Sequence, residues 1–376
     1  MTLVVEQVQS RLCDWLEGHV EGWRDVTLRP LDVVTGAGFS AQIFFVEVSY
    51  TDDHGQQIRT LVVRRQPQNH EVVFGSSLKL QGQMIAALDA LGDVKVPDWI
   101  GMELDPSVLD MPFLIMGQVD GQAATQNPNY NSAGWLADMT PEQRGFAWTN
   151  AIEAFAAMAK INWQKDGFDF MARSDWGKPG LDQYLGYIEA WYENASKGRD
   201  MPYVDRAMSY IRDKQPKDVD VNVLWGDSTP SNVMFANDGS VNALIDWELA
   251  ALGPAELDLA WWLYFDDLFS RRFGVERLEG LPTRDESVAI WEAATGQKAK
   301  HLEYYDIVVA LRMALVALGA FDRQVAMGNI PSTNKSINAN FMTLYLAEKL
   351  GMDVPELGPD FYAFMGNMIP VDEKAD

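Results

Sequence analysis

The stretch of sequence that decides the fold, at residues 221–253, reads VNVLWGDSTPSNVMFANDGSVNALIDWELAALG. It holds Asp227, then Asn232 five positions later, then Asp246 at the end of an apolar run. Two short apolar runs flank an Asn-Asp-Gly turn, which is the pattern of a hairpin. This order supplies one carboxylate to accept a hydroxyl proton and two oxygen ligands for Mg²⁺, as phosphoryl transfer requires. A polar hairpin without chemistry is the competing interpretation.

The surrounding chain changes character along its length. Its 376 residues are too many for one ordinary core, so two lobes are expected. Strand and hairpin signals cover residues 31–66, a helix is predicted over 77–91, and FLIMGQV at 113–119 reads as another strand. Helical patterns dominate from about residue 140. We therefore predict an α+β, bilobal protein-kinase-like fold, with a small β-rich lobe at 1–117 and a larger helical lobe at 118–376.

Three further features fit a nucleotide site. The run GAGFSA lies between two predicted strands, as a loop that covers ATP phosphates would. Val62 and Arg64 point to one face of a strand, where an apolar side chain could meet adenine and a cation the phosphates. Met234 and Ile245 are placed to form the floor of the adenine pocket. Taken singly, a plain glycine hairpin and a surface arginine are the simpler interpretations.

Charge and composition argue against several classes of partner. The net charge of −24 disfavours nucleic acid and anionic membranes as partners, and is compatible with a cationic substrate. Cys13 is the single cysteine, and the N-terminal stretch lacks the features of a signal peptide, so we expect a cytoplasmic protein with an N-terminal amphipathic helix. The most apolar stretch, residues 306–321, is interrupted by Arg312 and is predicted to be a buried helix.

The block WGDSTPSNVMF…LIDWELAALGPAELDLAWWL resembles the aminoglycoside phosphotransferase/choline kinase-like family, in the bacterial branch that is similar to the kinase-like domains fused to some acyl-CoA dehydrogenases. The resemblance extends over about residues 25–325. It implies transfer of the γ-phosphate of ATP or GTP, with Mg²⁺, to a hydroxyl of a small molecule. The implied roles are as follows: Asp227 as base, Asn232 and Asp246 as metal ligands, Arg64 at the phosphates, Gly36, Gly38 and Ser40 in the loop, Met116 and Gln118 at the hinge, and Glu248 near metal or substrate.

The sequence gives the weakest indication for the residues that bind the acceptor. Trp261, Asp266 and Asp267 could frame a cationic amine through an aromatic face and carboxylates, although a core helix with solvated aspartates is the favoured interpretation. Asp258 and Arg312 are candidates for a buried structural pair.

Two other functions stay open. A pseudokinase-like nucleotide-binding protein with a regulatory role is the main alternative, because Thr229 and Gln81 stand where relatives often carry Arg and Glu. A hydrolase using Ser228 is poorly supported, since GDSTP lacks the final glycine of a nucleophile elbow and lies between strands.

Overall fold

The computed structural model describes residues 5–34, 42–65 and 74–368. A five-stranded antiparallel sheet forms the first part of the chain, in the spatial order β1-β2-β3-β5-β4. Its strands are β1 (Arg24–Val34), β2 (Gln42–Asp52), β3 (Gly55–Arg65), β4 (Trp99–Glu103) and β5 (Phe113–Gly117). The sequence pattern located β2, β3 and β5 but missed β4 and the first half of β1.

Helix α1 (Val5–His19) covers one face of this sheet. Leu12, Trp15 and Leu16 are buried against apolar strand residues, which is the packing expected from their helical spacing. The indole N–H of Trp15 also donates a hydrogen bond of 3.1 Å to Glu103 at the end of β4. The sheet and α1 thus share a core of their own.

Helix α2 (Leu78–Leu91) begins at an N-cap serine, Ser77, and ends at Gly92 in the left-handed conformation. Its buried face, which includes Met84 and Leu88, belongs to the large core of the helical lobe. Just beyond α2, the backbone N–H of Leu244 donates to the carbonyl of Lys95 at 2.9 Å. This part of the β-rich segment therefore ties the two lobes together.

Beyond Gly117, where the predicted lobe boundary lies, the described chain is mainly helical. Capping boxes start several of these helices, including those that follow Thr140 and Thr283. The helices are α3 (Trp135–Asp138), α4 (Pro141–Ala156), α5 (Leu181–Ser196), α6 (Pro202–Asp213), α7 (Glu256–Asp267), α8 (Arg284–Thr295), α9 (Leu302–Ala326), α10 (Phe341–Leu350) and α11 (Pro359–Met368).

Two small antiparallel sheets lie inside this helical lobe. One pairs β6 (Asn222–Leu224) with β9 (Ala251–Gly253), and the other pairs β7 (Val233–Phe235) with β8 (Val241–Leu244). They hold the segment that opened the sequence analysis, with one loop between β6 and β7 and another between β8 and β9. The predicted hairpin and the α+β class are confirmed.

One described helix, α9, is long and apolar enough to span a membrane by length and composition. However, 78% of its most apolar window is buried inside the protein. Arg312, in the middle of this helix, is 2% exposed. Within the described chain α9 is thus a central core helix, as the sequence predicted.

Candidate active site

The loop between β6 and β7 is held by Asp258, near the start of α7. The carboxylate of Asp258 accepts hydrogen bonds of 2.8 Å from the backbone N–H groups of Trp225 and Gly226. Gly226 has a φ of 85°, and a Cβ at this position would lie 1.9 Å from the carbonyl oxygen of Leu249. Only glycine fits here, so the backbone immediately before Asp227 is fixed from two sides.

Both carboxylate oxygens of Asp227 accept hydrogen bonds from side chains. Oδ1 accepts from the indole N–H of Trp261 at 2.8 Å, and Oδ2 accepts from the amide of Asn232 at 2.7 Å. Burial, and then the nearby carboxylate of Asp246, raise the pKa of Asp227 to about 6, against the lowering effect of these bonds. A carboxylate with a pKa near neutrality is suited to accept a proton as a general base.

The β7–β8 hairpin brings the two predicted metal ligands to one place. The backbone N–H of Ile245 donates to the carbonyl of Asn232 at 2.9 Å, so the residue before Asp246 is paired directly with Asn232. Asp246 itself has a φ of 59°, in the left-handed region that non-glycine residues seldom adopt. Such conformations cluster at functional sites.

Arg64, on β3, connects the β-rich lobe to this hairpin. Its guanidinium donates to Asp246 at 2.9 Å and to Glu248 at 3.2 Å. The side chains of Arg64 and Glu248 are each only 9% exposed. Burial lowers the pKa of Arg64, but the two carboxylates outweigh that effect and raise it above its ordinary value. An ion pair between residues 182 positions apart therefore joins the two lobes at the site.

The other described residues that were predicted to bind nucleotide lie near the junction of the lobes. Val62 on β3 is paired directly with Met116 on β5, and the backbone N–H of Gln118 donates to Thr60 at 3.1 Å. Beyond Gln118, the chain pairs with Phe235, the neighbour of Met234. Met234 and Ile245 are half-buried. The predicted loop residues Gly36, Gly38 and Ser40 lie outside the described residues.

The profile of the phosphotransferase enzyme family matches residues 34–294, which is more than half of the chain. This chain belongs to the phosphotransferase enzyme family. The match includes Arg64, Asp227, Asn232 and Asp246, and it confirms the resemblance found in the sequence.

Individual proteins are similar at low identity. Acyl-CoA dehydrogenase family member 11 of Pongo abelii is 22% identical over 87% of this chain, and the match spans 41% of that relative's length. A crystal structure of a candidate aminoglycoside phosphotransferase from Ralstonia eutropha superposes with a TM-score of 0.68 at 21% identity, covering 91% of this chain and 98% of the other. An aminoglycoside phosphotransferase in complex with GDP and kanamycin superposes with a TM-score of 0.54 at 12% identity, covering 91% and 98%. These structures confirm the kinase-like fold.

The oxygen atoms of the described residues at this site fit a magnesium ion. The amide nitrogen of Asn232 is committed to Asp227, which leaves its amide oxygen for a cation. One oxygen of Asp246 bonds Arg64, and the other accepts no side-chain hydrogen bond from the part of the chain that the structure describes. Within the described chain no group of three or more His, Cys, Asp and Glu side chains could hold a metal ion. Mg²⁺ needs none, because it commonly takes one or two protein oxygens together with substrate phosphates.

Asp266 and Asp267 were predicted as substrate residues, but the structure places them away from Asp227. Around α7, Asp266 and Asp267 are about 140° and 120° away from Trp261, at 100° per residue. Asp266 accepts two hydrogen bonds of 3.0 Å from Arg277, and Asp267 pairs with Arg271 and Arg272. They belong to an ion-pair cluster on the other side of the helix from Asp227.

The structure also identifies the partners of Trp261 and Glu248, which the sequence left open. Trp261 is 2% exposed and points its indole N–H at Asp227, so it forms no open aromatic wall for an amine. Glu248 forms an ion pair with Arg64. This is the role that a glutamate at position 81 of the helix would have in relatives. Gln81 is buried in α2.

Asp258 and Arg312 matter more to the site than the sequence suggested. They contact Gly226 from two directions, since Asp258 accepts from its N–H and Arg312 donates to its carbonyl at 2.5 Å. In the described residues no salt bridge joins the two side chains directly, but the charge of Arg312 opposes the rise that burial causes in the pKa of Asp258. An arginine inside an apolar helix was the signal that could have identified this support.

Ser228 forms a structural hydrogen bond and lacks the surroundings of a catalytic nucleophile. Its hydroxyl is fully buried and donates to the carbonyl of Asp258 at 2.7 Å. In the described chain no histidine is paired with it. The hydrolase hypothesis therefore has no support in the geometry.

A small cavity of about 50 Å³ lies beside Glu248, between the start of α2, α5 and residues 248–251. Aromatic side chains form much of its wall, and the guanidinium of Arg173 lies over the ring of Trp176 at 4.1 Å. Its aromatic lining residues are Phe170, Trp176, Tyr184 and Tyr187.

Proposed function

We propose that this protein is an ATP- or GTP-dependent, Mg²⁺-dependent phosphotransferase that moves the γ-phosphate to a hydroxyl of a small molecule. The observation that carries the proposal is the meeting of Asp227, Asn232, Asp246 and Arg64 at one place between the lobes. The family supports a phosphotransferase, and the nucleotide, the metal and the activity are our proposals.

In this proposal each residue of the candidate site has a defined role in the transfer. Asp227 accepts the proton of the acceptor hydroxyl as that oxygen bonds the γ-phosphorus, while the bond from the γ-phosphorus to the bridging oxygen breaks and ADP or GDP leaves. The nearly neutral pKa of Asp227 suits this task. Mg²⁺, held by Asn232 and Asp246, would supply positive charge to the phosphates. Arg64 keeps Asp246 oriented and adds positive charge on the phosphate side.

The nucleotide assignment has two supports. Val62 and Met116 on one lobe, with Met234 and Ile245 on the other, offer apolar surface at the junction. A structure with the same fold contains GDP, so either purine nucleotide is a candidate. We assign residues 1–117 to nucleotide binding and 118–376 to catalysis and acceptor binding, and we place the protein in the cytoplasm on the basis of its single cysteine.

We propose that the acceptor binds at the opening of the cavity beside Glu248, whose interior of about 50 Å³ has room for only part of a small molecule. The aromatic lining suits a molecule with apolar surface. The net charge of −24 favours a cationic acceptor, but Glu248 is already ion-paired and Arg173 adds a positive charge at the cavity. Because acyl-CoA dehydrogenase relatives contain a similar region, a screen should compare amino alcohols and amino sugars with hydroxyacyl thioesters.

The test compares Asp227→Asn with Asp246→Asn. Asp227→Asn should keep the affinity for ATP with Mg²⁺ and lose turnover by on the order of 10²–10⁴-fold, as for a missing general base. Asp246→Asn should weaken Mg²⁺-dependent nucleotide binding as well, and added Mg²⁺ should restore part of it. Calorimetry and ADP release with each screened acceptor measure the two effects.

Asp238→Asn, on the exposed hairpin turn, is the matched control and should behave as the wild type. If both active-site variants keep wild-type turnover, the 227–246 segment is only a polar hairpin. If wild type and variants bind ATP and none turns over, the pseudokinase-like alternative is correct. That alternative is supported by Thr229 and by Gln81, neither of which brings a charge to the site.

A further inference from the structure

Trp261 makes a contact with the proposed base that a core tryptophan does not need. Its indole N–H donates to Oδ1 of Asp227 at 2.8 Å, over a separation of 34 residues. The side chain is 2% exposed and packs against Phe265 at a ring distance of 5.1 Å. A large, buried ring in a helix can take up few positions, so its N–H points in a fixed direction.

Arg312 lies over the face of the indole. Its guanidinium carbon lies 3.4 Å from the ring centroid of Trp261, within cation–π distance. Arg312 is itself anchored, because it donates to the hydroxyl of Tyr184 at 2.8 Å and to the carbonyl of Gly226. The cation thus fixes the plane of the indole and draws electron density from it, which strengthens the N–H as a donor.

The two donors on Asp227 leave it oriented but not saturated. Trp261 occupies one oxygen and Asn232 the other, while a carboxylate has about four lone-pair sites in all. We propose that Trp261, backed by Arg312, is a positioning residue that turns the free lone pairs of Asp227 toward the acceptor hydroxyl. This inference rests on the proposed phosphotransferase function, and it replaces a substrate-binding role for Trp261.

The adjacent residue offers a matched control. Trp262 is 0% exposed and packs on Trp148 at a ring distance of 4.7 Å. Its indole N–H has no hydrogen-bond partner in the described part of the chain. Trp261→Phe and Trp262→Phe therefore make the same chemical change in the same helix, and only the first removes a bond to Asp227.

The kinetic test measures ADP release from ATP with Mg²⁺, with water as the acceptor, for wild type and both variants. Trp261→Phe should lower kcat by about 10- to 100-fold with KM for ATP unchanged, as expected for a misoriented group. Trp262→Phe should keep kcat within a factor of about two to three of wild type. Thermal unfolding of all three proteins checks that both variants are folded. Equal losses in both variants would overturn the positioning role.

A second measurement tests the hydrogen bond between Trp261 and Asp227 and does not depend on turnover. In protein labelled with ¹⁵N-tryptophan, the indole signal that disappears in Trp261→Phe belongs to Trp261. That signal should shift in Asp227→Asn, and the signal identified through Trp262→Phe should not. If the Trp261 signal is unchanged in Asp227→Asn, the inference is wrong even if the enzyme is active. If the signal shifts but wild type neither binds ATP nor releases ADP, the contact stands, and the proposed function and the catalytic part of this inference fail together.

Discussion

Replacement of Asp227 by asparagine should make the protein more stable relative to wild type as the pH rises. The variant removes a buried charge at neutral pH while an amide oxygen can still accept from Trp261. Burial and the charge of Asp246 raise the pKa of Asp227 to about 6 in the folded protein, above its ordinary value of 3.8. The folded state therefore binds this proton more tightly than the unfolded state does, and the ionised carboxylate costs stability.

The size of the effect follows from the two pKa values. At about 1.4 kcal/mol for each step of one in pKa, the full cost of ionising Asp227 in the folded state is at most about 3 kcal/mol. Wild-type stability contributed by this group is lost as the pH rises from about 4 to above 6. Of the total, about 1.4 kcal/mol develops between pH 5 and pH 7.5, with roughly half already present at pH 5.

Urea unfolding of wild type and Asp227→Asn at several values from pH 5 to pH 7.5 measures this difference, and it stays above the isoelectric point of about 4.5. The stability of the variant minus that of wild type should increase across this range. Asp238→Asn is the control, because hydrogen bonds from Ser240 lower the pKa of Asp238 and its difference should not increase. A difference that stays constant from pH 5 to pH 7.5 for Asp227→Asn would refute a raised pKa at the site.

Three further outcomes follow from the same contacts. Gly226→Ala should unfold at a clearly lower temperature than Gly274→Ala, since both have a left-handed φ but only the first places a Cβ against a backbone oxygen, and equal melting temperatures would contradict the clash. Asp258→Ala should cost about 1–3 kcal/mol in urea unfolding for each of the two buried N–H groups that lose their acceptor, and a neutral result would mean that water replaces the carboxylate. Arg64→Lys should weaken nucleotide binding in calorimetry, because an ammonium cannot reproduce the guanidinium fork shared by two carboxylates; unchanged affinity would remove Arg64 from the phosphate side.

Much of the fold could be predicted from local signals. The alternation of residues in β2 and β3, the helical spacing of Leu12, Trp15 and Leu16, and the Asn-Asp-Gly turn each depend on residues that are near neighbours in the chain. Such patterns can be read directly because the backbone periods of strands and helices are fixed. The sequence analysis missed β4 because it is a short strand in which buried and exposed residues do not alternate. All of its residues are half-buried.

Within the candidate site, the sequence determined Asp227, Asn232 and Asp246, because one short loop joins Asp227 to Asn232 and one hairpin joins Asn232 to Asp246. Only the tertiary structure decided which distant side chains meet them. Arg64 reaches Asp246 across 182 residues, and Trp261 and Arg312 reach the loop between β6 and β7 from two separate helices. Asp266 and Asp267, although close to Trp261 in sequence, turn away from Asp227 because a helix rotates each residue by about 100°. Contacts of this kind depend on how helices pack in three dimensions, and a single sequence carries no local period that reveals them.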